Sequence, residues 1–235
     1  MKILNFAPLL SLQNPALAEG FKSAEILSVS PLQDPHLPGE LIKCEIGAQS
    51  FVLALICASF CDEPYFAELD LEYLNGESNV GEEEIEQIAE FLEGCENIVI
   101  DSSFLAHADA KNIFEFLQML GKNVVLSDAE QGEFKTDGKL TPLKEPESFD
   151  GSVVFFLDEA GGSNLSDETK ELIGSASFAA AAKVKDGDIV SVQANGADVV
   201  AKFKLEPQMK GTVALCRAKF SGYAFKLVKI VKTAQ

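Results

Sequence analysis

The chain has 235 residues, 47% apolar and 24% charged, which suits one large or two modest globular domains with a real core. Its net charge is −18, and an acidic surface of that size repels phosphate backbones, which argues against a nucleic-acid partner. The charge is uneven: residues 1–147 carry 8 lysines against 27 acidic residues, and residues 148–235 carry 11 basic against 10 acidic ones. That step predicts a boundary between an acidic domain, 1–147, and a second domain, 148–235.

No apolar run approaches the roughly 20 residues that span a bilayer. Met1-Lys2, the apolar Ile3–Leu12 and the small residues at Pro15–Ala18 have the outline of a signal peptide. Asn5 and Pro8 interrupt that stretch and a single lysine precedes it, so a cytoplasmic location is the expectation. The five cysteines are odd in number and lack framework spacing, as suits a reducing compartment.

In chain order, residues 21–80 open weakly patterned, and Pro31, Pro35 and Pro38 mark irregular surface chain. Ala48–Phe60 is apolar on most sides and reads as a buried helix. Glu82–Leu92 carries Ile85, Ile88, Ala89 and Leu92 at helical spacing, with Glu82, Glu83 and Glu84 at the end where the helix dipole favours acids. Asn97–Ile100 reads as a strand, Asp109–Leu120 as a helix closed by Gly121, and Asn123–Leu126 as a second strand. Strand, helix and strand make a βαβ unit, hence parallel strands.

Residues 130–152 are turn-rich and read as a linker. Beyond it come short strands at Val153–Leu157, Ile189–Gln193, Asp198–Leu205, Thr212–Leu215 and Ala224–Val231, separated by turn signals. Asn195-Gly196 is a hairpin signal of type I′, in which both residues take positive φ. Strands at this spacing predict a small barrel or sandwich. The predicted class is therefore α/β, with an amino-terminal lobe built on a short parallel sheet and a carboxy-terminal small barrel or sandwich.

Candidate chemistry is sparse. Cys57 and Cys61 share a helix face, but metal or cluster ligation needs about four donors and only Cys44 and Cys95 lie near in sequence, unpatterned. His36 and His107 stand apart with no nucleophile motif beside either. Asp101-Ser102-Ser103 follows a strand, where open α/β sheets contact ligands, though helix capping explains it equally well. Gly161-Gly162-Ser163-Asn164 is Gly-rich but lacks a phosphate-loop context. No residue is singled out as catalytic, cofactor-binding or metal-ligating.

Two stretches carry a family resemblance. Leu69–Glu84, LDLEYLNGESNVGEEE, resembles a segment in the large iron–sulfur subunit of bacterial respiratory complex I, the NADH-quinone oxidoreductase. Ser175–Leu215 contains VKDGDIVSV and a later GTVAL, and resembles the dinucleotide-binding barrel of the molybdopterin oxidoreductase superfamily. The resemblance is to the carboxy-terminal part of that large iron–sulfur chain, and it implies a double-psi-like barrel. The family's cysteine-rich and cluster-bearing regions have no counterpart here. What it implies is a cofactor-free, non-catalytic structural or assembly component, partnered by complex I-like subunits including an iron–sulfur protein and peripherally membrane-associated through them. The alternative is a molybdopterin-dinucleotide-binding barrel of a molybdoenzyme. A third reading, an independent double-psi enzyme resembling the aspartate decarboxylases, has only the letters Gly174-Ser175 in its favour. For a partner-facing surface, Phe178–Ala182 with Phe220, Tyr223 and Phe225 are the candidates, unless they fill the barrel's own core.

Overall fold

Lys2–Asn5 form β1, the middle strand of a five-stranded, all-parallel sheet. This computed structural model describes residues 1–128, 136–157 and 170–233. It divides into two compact units, Met1–Glu147 and Ser148–Gln235, at the residue where the charge changes.

In the first unit β1 leads through two short helices, α1 (Leu10–Gln13) and α2 (Pro15–Gly20), to β2 (Glu25–Val29), and then to β3 (Glu40–Ile42). Helices α3 (Gln49–Ala58), α4 (Pro64–Ala67), α5 (Leu71–Ser78) and α6 (Glu82–Glu93) precede β4 (Cys95–Ile100). A 3-10 turn at Ser102–Ala106 and helix α7 (Ala110–Met119) then lead to β5 (Asn123–Leu126). The strand order is β3-β2-β1-β4-β5, and every pair is parallel. The expected βαβ unit is β4-α7-β5.

Both sheet faces are buried, which is why the strands read as apolar pairs and triplets rather than alternating. Leu4, Leu27, Ile98 and Ile100 join the helices α3, α6 and α7 in the larger core. Ile3, Ile26 and Val99 point the other way, against Leu10 and Ala18. Helix α3 is buried from Gln49 to Cys57, as its all-round apolar sequence predicts. The proline-rich stretch, 30–39, carries no strand or helix, as expected, while β2, β3, α4 and α5 add elements that the weak patterning of 21–80 did not predict. Of the signal-like start, Lys2–Asn5 form β1, and Leu10–Gln13 and Pro15–Gly20 form α1 and α2.

The second unit contains β6 (Val153–Leu157), β7 (Lys170–Gly174), helix α8 (Ala176–Ala182), β8 (Ile189–Ala194), β9 (Ala197–Leu205), β10 (Val213–Arg217), β11 (Phe225–Leu227) and β12 (Lys229–Lys232). Its order is β11-β6-β10-β7-β9-β8-β12. The expected single strand Ala224–Val231 is broken into β11, which pairs with β6, and β12, which pairs with β8. Because those two are consecutive in sequence, they bring the two edges of the sheet together and nearly close it into a barrel. Two parallel pairs, β6 with β10 and β7 with β9, sit among antiparallel neighbours.

Phe156, Phe178 and Phe203 fill the barrel with Val190 and Val192. Strand β7 and helix α8 have no counterpart among the elements expected from sequence. Ser175 caps α8, its Oγ accepting from Phe178 N–H at 3.0 Å and donating to the Gly211 carbonyl at 2.5 Å. The β8–β9 turn at Asn195-Gly196 is present, but it is not type I′. Gly196 has φ +76°, whereas Asn195 is not among the positive-φ residues.

Candidate functional site

In an open parallel sheet, ligands bind beyond the carboxyl ends of the strands, where the strand order reverses. Here that place lies between β1 and β4, and Asp101-Ser102-Ser103 stand at its β4 side. Asn5 ends β1 and is buried; its Oδ1 accepts from Ala7 N–H at 3.1 Å, and its Nδ2 donates to Ser28 Oγ at 3.2 Å. The loop that follows contains no glycine. Leu9 takes φ +50° within it, an uncommon backbone conformation for a branched side chain.

The groups that could greet an anion at this edge are already bound by the chain's own carboxylates. Asp34, from the loop after β2, accepts from Ser11 N–H at 2.7 Å and Ser11 Oγ at 2.6 Å. Asp128, after β5, accepts from Ser102 N–H at 2.7 Å and Ser102 Oγ at 2.6 Å. Asp101 caps the 3-10 turn, taking Ser103 N–H at 3.0 Å and a short bond from Ser103 Oγ.

Asp101 is almost fully buried, and desolvation pushes its pKa up from 3.8 to about 6. The hydrogen bonds from Ser103 and Gln13 oppose that rise, while the Asp128 charge adds to it. Gln13 crosses from α1 to this group, donating to Asp101 Oδ2 at 3.2 Å and accepting from Ser127 Oγ at 3.1 Å. Asn14 donates to the Ser127 carbonyl at 2.8 Å. The crevice is thus laced shut from α1 and α2 to the ends of β4 and β5.

Nothing in the sequence pattern pointed to Gln13, Asn14, Asp34, Ser127 or Asp128. Their signal was the Ile3-Leu4 strand, masked by the signal-like context; once β1 is placed, the loop after it becomes the crevice wall.

The other candidates are dispersed. Cys57 is buried in α3, its Sγ donating to the Phe116 carbonyl at 3.7 Å, while Cys61 is half-exposed. Burial raises both thiols, with the neighbouring acids Glu63 and Asp62 adding at Cys61. Cys44 is pushed up to about 12 by burial. These are poor nucleophiles and poor ligands. His107 donates from Nε2 to the Gly47 carbonyl at 2.9 Å and accepts from Asp109 N–H at 3.0 Å through Nδ1. Burial lowers its pKa, so the neutral ring is a structural brace. His36 is exposed in the proline-rich loop.

Among the described residues no group of three or more His, Cys, Asp and Glu is placed to hold a metal ion, and no helix is long and apolar enough to cross a membrane. Gly161–Asn164 lie outside the described residues. Gly174-Ser175 is buried and engaged as a helix cap rather than exposed at a strand end. Of the partner-facing candidates, Phe178 and Phe225 are buried within the barrel unit, Phe178 stacking on Phe203 and Phe225 lying 4.7 Å from Phe155. Phe220, Tyr223, Ala179 and Ala182 are half-buried.

No family model matches the chain, and no curated protein matches it significantly.

Proposed function

We propose that the chain is a non-catalytic structural or assembly component of a complex I-like NADH-quinone oxidoreductase, packing on an iron–sulfur subunit and associated peripherally with the membrane through the complex. The observation that carries the non-catalytic part is the carboxyl edge of the parallel sheet. There Asp34, Asp101 and Asp128 hold the donors that a substrate or nucleotide phosphate would need, and Gln13 and Asn14 close the crevice. The assignment to complex I rests on the sequence resemblance, and the pairing of a parallel-sheet lobe with a double-psi-like barrel is compatible with it. The electron-transport role would then belong to the partner, with this chain supplying packing surface.

A molybdopterin-dinucleotide binder is less well supported. In the Asp186-Gly187-Asp188 turn of the barrel, Asp186 accepts from Leu205 N–H at 2.8 Å, and Asp188 pairs with Lys232 at 2.6 Å. Two structural carboxylates in that turn disfavour an anionic dinucleotide.

The test is purification of the chain from its native membranes without crosslinking, followed by identification of what accompanies it. Stoichiometric recovery with respiratory iron–sulfur subunits supports the proposal. A monodisperse protein without partners at native abundance refutes it, and a co-purifying pterin nucleotide turns the reading to the alternative.

A further inference from the structure

Strands β9, β8 and β12 lie side by side in the barrel wall. Val190, Val192, Ala201 and Phe203 point into the core, so by the two-residue alternation of a strand their neighbours point outward. The pairing sets those outward residues in three rows across the wall. In the middle row Ser191 lies opposite Val200 on one side and Val231 on the other. In the second, Ile189 lies opposite Lys202, and its carbonyl accepts from Thr233 N–H at 3.1 Å. In the third, Gln193 lies opposite Asp198 and Lys229.

The middle row is apolar at both ends and open to solvent: Val200 is 52% exposed and Val231 38%. Lys202, Asp198 and Lys229 are exposed as well, and none of the three has an ion-pair partner among the described residues. Charges at the margins of the wall are already paired, Lys204 with Glu171 at 3.7 Å and Lys232 with Asp188 at 2.6 Å. Asp198 and Lys229 cannot pair within one chain. They flank β8 at a separation of roughly 10 Å, two strand spacings.

We propose that this wall binds the same wall of a second copy of the chain across a two-fold axis running along β8. Such an axis keeps the rows in step and exchanges the strands on either side of β8. Val200 of each copy then meets Val231 of the other, and Asp198 of each meets Lys229 of the other. The apolar ends of the middle row are covered, and both charges of the third row gain the partner that one chain denies them. Lys202 meets Thr233, an uncharged neighbour, so no like charges are opposed. The two walls stack as in an aligned sandwich, about 10 Å apart. Three strands over the length Ile189–Gln193 give a footprint of roughly 14 by 17 Å on each copy. A permanent dimer buries about 800 Å² per partner, so this contact is weak and reversible. Exposed ion pairs add little affinity, whereas like charges brought face to face oppose docking, so the third row fixes the pairing.

This contact is separate from packing on a respiratory subunit, and the purified chain alone tests it. Sedimentation velocity is run on the intact chain from about 0.02 to 1 mM, the range in which a weak contact forms. Salt at 0.15 M confines the effect of the net charge of −18 to about 8 Å. A monomer–dimer equilibrium is expected, with amide shifts that change with concentration at Ser191, Val200 and Val231 and not in β1 or β4. Asp198→Lys and Lys229→Asp should each weaken dimerisation at least about fivefold, and the double variant should return it to within about twofold of the starting chain. Val231→Lys should abolish it. All of these positions are exposed, and unchanged shifts in the barrel core report that each variant is folded. A chain that stays monomeric at 1 mM overturns the proposal, as do single variants that dimerise like the starting chain. A double variant no stronger than either single one overturns the pairing of Asp198 with Lys229.

Discussion

Replacing Asp101 by Asn tests whether the closed crevice strains the sheet unit electrostatically. The wild-type carboxyl is almost fully buried and titrates near 6 instead of 3.8. A shift of that size, at about 1.4 kcal/mol per pKa unit, amounts to about 3 kcal/mol of native-state cost for the ionised form. The sign follows from proton binding. The native state holds this proton more tightly than the unfolded chain, so stability falls as pH rises from about 4 to 6, and the whole penalty is present above 6. Asn removes the charge and its repulsion by Asp128. Its Oδ1 still accepts from Ser103 N–H and Oγ, and rotation of the Gln13 amide by half a turn lets Gln13 Oε1 accept from the new Nδ2 while Nε2 donates to Ser127 Oγ. The variant should therefore be more stable at pH 7.5 by about 1–3 kcal/mol, with the gain shrinking toward pH 4. The slowest-exchanging amides of β1 and β4, measured in parallel for both proteins across this range, report the sheet unit specifically. A variant that is less stable at pH 7.5, or a difference independent of pH, would refute the assignment of the cost to a buried charge.

Other expectations concern the barrel and the thiols. Gly196→Val should destabilise the barrel unit by about 2–3 kcal/mol in urea unfolding, because a β-carbon there would stand 2.6 Å from Ser221 Oγ and 2.7 Å from its carbonyl oxygen at φ +76°. Phe203→Ala removes a fully buried ring stacked on Phe178 at 6.1 Å and should cost about 3–5 kcal/mol by the same assay. Ser175→Ala should cost about 1–2 kcal/mol, with faster exchange at the Phe178 amide, since α8 loses its cap and the Gly211 carbonyl its donor. In a native alkylation experiment at pH 8, Cys61 should react first, with Cys44 and Cys57 modified only on unfolding.

Much of the architecture was legible in the order of residues. The buried helix around Phe51–Cys57, the amphipathic Glu82–Glu93 and the βαβ unit ending at Leu126 each carry a strong local period, and local period survives in any tertiary context. The crevice was not legible, because Ile3-Leu4 and Ile26-Leu27 are apolar pairs too short to signal a strand by themselves. Only when β3 and β4 cover the outer edges of β2 and β1 and helices cover both faces do they become the middle of a sheet.

By itself, then, the sequence determined an acidic parallel-sheet lobe, a near-neutral all-strand domain and the residue at which one gives way to the other, since charge and periodicity are properties of composition and order. Tertiary structure alone decided how the polar groups are spent. Asp34 meets Ser11 across 23 positions, Ser127 meets Gln13 across 114, and Thr141 meets Asn112 across 29. Whether a buried carboxylate or amide is a waiting site or a closed structural bond depends on its partner's position in space. No local pattern encodes that position, because the partner reaches it only when the strands between them have taken their places.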